Sequence, residues 1–553
     1  MANITGIRDE LIIDYGRNPP VITIHDGVKA GGHDIKGNVV TGIGAPVVAS
    51  PANTAVSINQ SPIIRSGAFN GIATDLTSET MAAMFIEIAT DLAFTTIVHA
   101  SGRQAGNTGV YDLGVAGIQL APSVEHFVRI KHEAVSGGLS NWGPVSSFIV
   151  DALAINGVIS TLPPSLASTS GGYGSAVVIS DSGDVAVIGA PTDSNTSASG
   201  GAVFILKLVS NIWVEVARLT SPSAAPSAYF GSSIDVNADG SVIVVGASND
   251  VNAAGVAGAG KAYVITDAGT GYAVTQELIP TDHTDIGWFG YSVAIAGVTN
   301  EIIIGSPTKS NGLLTTVGTV YVFTADVTGA YVQSANIVPA VLSQGGYFGY
   351  SVAIADQGVT AVITAPTDAT LGIDSGTGFV YTSTSGAWSP SGTLTATGVS
   401  AYDKFGISSA ISAAGDRVVI GAEGDDSAVS GGGAAYVFNV VTGVPTLAAT
   451  LTAPTPALND QFGHAVGMSG DGLAIIVGCP MSDSSANDAG LVYTFADVSG
   501  TWLAGVELGV TGSLAADYLG TAVSLSGDGA RGIVGAPGSD TGLTDAGNAF
   551  LLG

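Results

Sequence analysis

From about residue 170 onward the chain alternates apolar and polar positions in short runs, the period-two pattern of half-buried strands. A first kind of run reads GSAVVIS, GSSIDVN, GYSVAIA (twice), GISSAIS, GHAVGMS and GTAVSLS. A turn follows, clearest at Asp239-Gly240, Asp471-Gly472 and Asp528-Gly529, and this dipeptide predicts a type I′ hairpin. The second run ends in Gly-Ala-Pro or a variant, at Pro191, Pro307, Pro366, Pro480 and Pro537. About ten polar residues later comes a third strand (GAVFIL, KAYVI, GTVYVF, GFVYT, AAYVF, GLVYTF, GNAFLL). A fourth starts at Trp213, Tyr272, Tyr331, Trp388 or Trp502.

The unit repeats. The glycine of an aromatic-Gly pair falls at Gly174, Gly231, Gly290, Gly349, Gly406 and Gly463, and Gly520 continues the series, at intervals of 57, 59, 59, 57, 57 and 57 residues. Four short antiparallel strands repeated seven times predict an all-β chain with a seven-bladed β-propeller over residues 163–553. The last repeat ends after its third strand, at Gly553, while Val158–Leu162 has the pattern of a fourth strand. That segment is therefore expected to complete blade seven beside the strand ending near Leu552, leaving no open edge.

Composition narrows the function classes. The 553 residues carry 15 basic and 44 acidic side chains, a net charge of −29, which repels phosphate backbones and anionic lipid. Nucleic-acid binding and membrane insertion are not expected. Cys479 is the single cysteine, so there is no intramolecular disulfide and no multi-cysteine metal site. No apolar stretch reaches the ~20 residues of a spanning helix, and MANITGIRDE has no secretory pattern. The expected place of synthesis is the cytoplasm.

The repeats resemble the FG-GAP family of integrin α-chain propellers and of bacterial and phage surface proteins, most clearly at YFGSS…VVGAS and WFGYS…IIGSP. Integrin-type blades often hold calcium in a DxDxDG loop. Here the hairpins read SDSGD, NADG, SAAGD or SGDG, too few oxygens for a calcium ion, so no metal or cofactor is expected. Residues 45–150 lack the repeat, and HFVRIKHE, a GGLS turn and Trp142…Phe148 resemble the closing strands of a fibronectin type III-like sandwich. Residues 151–162 then form a linker and the closing strand. Residues 1–44, with ELIID…VITIHDGVKAGGH, are similar to the N-terminal module of bacteriophage tail-fibre and tropism-determinant proteins. They are too short to bury a core alone, so a partner chain or a neighbour is expected to order them. His25 and His33 lack further ligands nearby and are read as turn residues.

These resemblances imply a virion structural protein: a tail fibre or receptor-binding protein that docks through residues 1–44, forms a homo-oligomer (trimer favoured), and meets a host-surface glycan or protein. A head fibre or capsid decoration protein and a bacterial surface adhesin are the alternatives. A polysaccharide-degrading enzyme is the weaker one, because no singular catalytic constellation stands out.

Several motifs have plainer readings. Gly255–Ala262 approaches a phosphate loop, but Ala262 replaces the Mg²⁺-binding hydroxyl and no helix follows. Cys479 takes the place of Ala190 and Ala536, a small buried position. Asp193, Asp250, Asp368, Asp425, Asp483 and Asp540 recur after the second strand and are expected to accept backbone N–H groups in turns. Asp374, Asp488 and Asp545 add a second acid in three loops, while His283 and His464 lie too far apart in sequence to suggest a triad. The candidate binding residues are those just before the aromatic-Gly pair: Tyr229, Trp288, Tyr347, Lys404, Gln461 and Tyr518. They share one face with the loops between second and third strands. The chain enters from the opposite side, so this face is expected to point away from the stalk and to stack on sugar rings.

Overall fold

A computed structural model describes residues 158–553 apart from short loop stretches, and before them chiefly the backbone of separate strands. The chain divides into two compact units, residues 1–154 and 155–553. In the first, strands Met81–Ala89 and Glu125–Ala134 pair antiparallel at the centre of a six-stranded sheet. Strands Leu11–Asp14 and Val21–Ile24 form a hairpin, and the latter runs parallel to Ile63–Arg65. His25, His33, Trp142 and His283 lie outside the described residues.

The second unit is a seven-bladed β-propeller. Blade 1 is Ala176–Ile179, Val185–Ala190, Ala202–Val209 and Ile212–Thr220, each antiparallel to the next, and the following blades repeat the order. Burial explains the sequence pattern. The second strand is sandwiched on both faces and reads as an unbroken apolar run (VAVIGA, AIIVGC), whereas the outer strand alternates, as in YAVTQEL. Closure follows expectation: Val158 pairs with Leu552 and Thr161 with Phe550, and the Leu162 amide donates to Ala549 at 2.8 Å. Residues before the first blade thus supply the outer strand of the seventh.

The hairpin between first and second strands differs from the expected type I′ turn. Asp239 does not have positive φ; Gly240 does (75°), and its amide donates to Asn237 at 3.0 Å. The same bond joins Gly472 to Ser469 and Gly529 to Ser526. A type I turn followed by a left-handed glycine satisfies strand twist with one special residue rather than two.

Adjacent blades are latched by the aromatic-Gly motif. Phe230 bridges in parallel to Gly201 of the preceding blade, and equivalent bridges join Phe289 to Gly260, Phe348 to Gly318, Phe405 to Gly376, Phe462 to Gly433, Leu519 to Gly490 and Tyr173 to Gly547. The last of these crosses from blade 7 to blade 1. A side chain at Gly201 would overlap the Phe230 backbone, so only glycine fits there. The aromatic ring packs edge-on against a third-strand tyrosine of its own blade, Phe230 on Tyr263 at 5.4 Å and Phe289 on Tyr321 at 5.5 Å.

A second ring of contacts runs around the axis. Ser182 donates to Ala238, Ala238 to Gly297, Val298 to Asp356, Asp356 to Ala413, Ala413 to Gly470, Gly470 to Gly527, and Gly527 back to Asp181. Above this ring the first strands of all blades enclose a channel cavity of about 260 Å³.

Candidate functional site at the channel mouth

Each blade junction opens with a tight turn. The carbonyl of the residue before the aromatic accepts the amide three positions on, as in Tyr291 to Trp288 at 3.0 Å and Tyr350 to Tyr347 at 3.1 Å. The glycine is the third residue of that turn and has φ near 90° (Gly231 90°, Gly290 84°), which type II geometry requires. The residue before the aromatic is left-handed too: φ is 57° at Tyr229, 51° at Trp288, 56° at Tyr347, 53° at Lys404, 59° at Gln461 and 56° at Tyr518. Gly172 holds the place in blade 1, with φ of 63°. Each amide is held by the loop of the previous blade, Trp288 to Gly258 at 3.0 Å and Lys404 to Asp374 at 3.0 Å. The junction thus fixes these residues rigidly on one face.

The six predicted residues do not form one site. Trp288 is 39% exposed, and the other five are half-buried. Tyr229, Tyr347 and Tyr518 sit in separate junctions, and among the described residues no ring contact joins them. Trp288 and Lys404, however, each belong to a group of contacts, and the two groups are neighbours. The Trp288 indole stacks on Tyr291 (5.9 Å between centroids, 13° between planes), and Tyr291 leans on Tyr350 at 4.8 Å. Burial, then the neighbouring Tyr350, push the Tyr291 hydroxyl well above its ordinary value. Tyr350 is within electrostatic reach of Lys404. Lys404 Nζ lies 2.7 Å from Glu423 Oε1, and Glu423 Oε2 lies 2.6 Å from His464 Nδ1. Burial works to raise the Glu423 carboxyl, but hydrogen bonds from His464 and Lys404 outweigh it and bring it down to about 2. The hydrogen bond to Glu423 correspondingly raises Lys404.

Tyr291, Tyr350 and His464 hold the position after the aromatic-Gly pair, and Glu423 the position of the proline after Gly-Ala. Sequence reading passes over Tyr291, Tyr350 and Glu423, and takes up His464 only to set it aside as a triad member. The signal available was departure from the repeat: Glu423 stands where five blades have proline.

The recurrent carboxylates do what turn chemistry predicts. Asp193 accepts the Asn195 amide at 3.0 Å, Asp425 the Ser427 amide at 2.8 Å, Asp483 the Asp488 amide at 2.9 Å and Asp540 the Asp545 amide at 2.9 Å. Asp250 also takes the Tyr263 hydroxyl at 2.8 Å. Blade 3 has Lys309 at this place, and the Tyr321 hydroxyl donates instead to Asp282 at 2.8 Å. Among the described residues no group of three or more His, Cys, Asp or Glu side chains is arranged to hold a metal ion. Cys479 is fully buried, and burial pushes its thiol well above the ordinary range, which suits a packing role.

At the other end of the channel, Asp181, Asp235 and Asp356 line the cavity. Asp235 is pushed up to about 7: burial dominates, hydrogen bonds from the Ile295 and Val236 amides counter it in part, and Asp181 and Asp356 add to it. Burial, Asp356 and Asp528 bring Asp181 to about 6.

The FG-GAP repeat family model matches residues 213–265, 272–323, 388–438 and 445–495. A comparison with curated protein sequences finds no match. Solved structures similar to this chain include the RRP9 WD40 repeats (10% identity, TM-score 0.45, covering 72% of this chain and 100% of that one). Another is the periplasmic gluconolactonase PpgL of Pseudomonas aeruginosa (12% identity, TM-score 0.41, 77% of this chain and 97% of that one). The family matches fall on the blades described above, and residues 155–553 form a seven-bladed β-propeller built of FG-GAP-like repeats.

Proposed function

We propose that this chain is a recognition protein whose propeller binds a cell-surface glycan across the mouth of its channel. The observation that carries the reading is the Trp288–Tyr291–Tyr350 array, an exposed indole backed by two tyrosines, with polar groups as neighbours. A sugar ring offers an apolar face to an aromatic plate and hydroxyls to the polar groups beside it. Tyr291 stacks beneath Trp288 and holds it in place, so little ordering remains to be done on binding. At this face binding is favoured over hydrolysis on two grounds. The recurrent acids are engaged in turn hydrogen bonds, and a carboxyl at about 2, as in Glu423, is not a general acid at neutral pH.

The biological setting proposed is a bacteriophage virion, with residues 1–44 as the docking or trimerising module and 45–150 as a fibronectin type III-like spacer. This rests on the sequence resemblances alone. A head fibre, a capsid decoration protein or a surface adhesin would use the same face. Trp288→Ala is the test. It should weaken attachment of the purified protein to host cells by roughly ten-fold or more while leaving the melting temperature unchanged. Undiminished attachment would refute the reading, and detection of the chain in purified particles decides between virion and adhesin.

A further inference from the structure

In a repeat protein, a residue that the fold requires recurs in blade after blade. Three residues of the channel mouth do not, and they meet. Lys404 stands where four other blades have Tyr229, Trp288, Tyr347 and Tyr518. Glu423 stands where Pro191, Pro307, Pro366, Pro480 and Pro537 end the second strand. His464 stands where other blades have Ser, Tyr, Ile or Thr. They come from two adjacent blades and lie within 2.7 Å of one another through the Glu423 carboxylate. Building a blade does not call for them, since the other blades stand without them.

Their exposure shows what the cluster presents. The Glu423 side chain is 7% exposed and spends one oxygen on each neighbour, whereas Lys404 is 44% and His464 33% exposed. The buried carboxylate therefore acts inward, orienting the other two. An ammonium has three N–H donors, and the bond to Glu423 uses one. His464 engages Glu423 through Nδ1, which leaves Nε2 as its remaining polar atom. On a chain of net charge −29, a fixed ammonium beside an aromatic array is a selective feature: its complement is a negatively charged acceptor attached to a ring.

We infer that Lys404, Glu423 and His464 form the acid-recognising end of the glycan site, with Lys404 binding the carboxylate of an acidic sugar and His464 a neighbouring hydroxyl. The inference rests on the glycan reading and adds the class of sugar. No covalent step is involved.

The test uses the full chain and paired probes: oligosaccharides containing glucuronic or sialic acid, and the same oligosaccharides with the carboxyl reduced to the alcohol. The variant is Lys404→Gln, which installs the residue that blade 6 carries at the same backbone angle, Gln461, and so leaves the junction intact. The wild type should prefer the carboxylated probe, and K404Q should lose roughly ten-fold in affinity for it and nothing for the reduced one. Full affinity of K404Q for the carboxylated probe, with an unchanged melting temperature, overturns the inference. Equal binding of both probes by the wild type, abolished by Trp288→Ala, also overturns it and leaves the glycan reading standing. If neither probe binds, both readings fall.

Discussion

Arg218 donates from Nη2 to Asp193 Oδ1 at 2.8 Å in a blade whose third strand carries Phe204 where blade 2 has Tyr263. In blade 2 the corresponding acid, Asp250, receives the Tyr263 hydroxyl. The guanidinium has taken over the bond that the missing hydroxyl would make, and it also lies over the Phe204 ring at 5.5 Å. Asp193 is 2% exposed, so removing its partner leaves a buried carboxylate held only by the backbone and side-chain N–H groups of Asn195. Arg218→Ala should destabilise by about 2–3 kcal/mol. Adding Phe204→Tyr in that background should restore part of the loss, because the hydroxyl returns to the blade 2 arrangement. Thermal or denaturant melts of the two variants check this, and no rescue would mean that Arg218 acts through packing alone.

Blade 1 also reverses the latch. Tyr173 takes the place of phenylalanine, is 2% exposed, and its hydroxyl has no hydrogen-bond partner among the described residues. Its ring still meets Phe204 edge-on at 5.0 Å. Tyr173→Phe removes a buried, unsatisfied hydroxyl and keeps the ring contact, so it should stabilise the propeller by about 1 kcal/mol. A raised melting temperature is the expected result, and a fall would show that the hydroxyl is bonded in solution.

These substitutions mark the boundary of what the sequence made legible. Strand period, turn glycines and the blade interval are local and recur, so the propeller and its closure by Val158–Leu162 could be read directly. Which residues of different blades meet is not local. The exchange of Asp for Lys309, compensated by Asp282, and the meeting of Lys404, Glu423 and His464 depend on contacts between segments 19 to 41 residues apart. The turn type was misread for a different reason. Asp-Gly fits a type I′ hairpin, yet it also fits a type I turn with a left-handed glycine, and the dipeptide alone does not separate them.

Closure gives a third prediction. The outer strand of blade 7 comes from Val158–Thr161, and Leu162 is 5% exposed inside the core that joins blades 7 and 1. Removing residues 1–162 exposes the edge of Asn548–Leu552 and uncovers that core. The truncated chain should melt lower and aggregate, whereas removal of residues 1–154 alone should leave the propeller intact. Equal melting of the two truncations would show that the closing strand contributes little.

The channel carboxylates set the pH dependence. Asp235 at about 7 and Asp181 at about 6 lie above the ordinary carboxylate range, Asp356 is raised as well, and burial is the leading cause in each. A carboxyl raised by folding binds its proton more tightly in the folded chain than in the unfolded one. Its contribution is fully present below pH ~4 and is lost as pH rises through the folded value. Between pH ~4 and ~8 the propeller should therefore lose stability, on the order of 3 kcal/mol from Asp235 once water in the cavity is allowed for. Glu423 works in the opposite sense. Held at about 2, it contributes above its ordinary range and is lost as pH falls toward 2. Stability should peak near pH ~4 and decline on both sides. Asp235→Ser provides the control, since Ser524 holds the matching place in blade 7 and its hydroxyl accepts the Ile179 amide at 3.3 Å, as Asp235 accepts that of Ile295. The variant should melt higher than wild type at pH 8 and show a shallower decline from pH 5 to 8. If it keeps the wild-type slope, Asp235 does not govern the alkaline side.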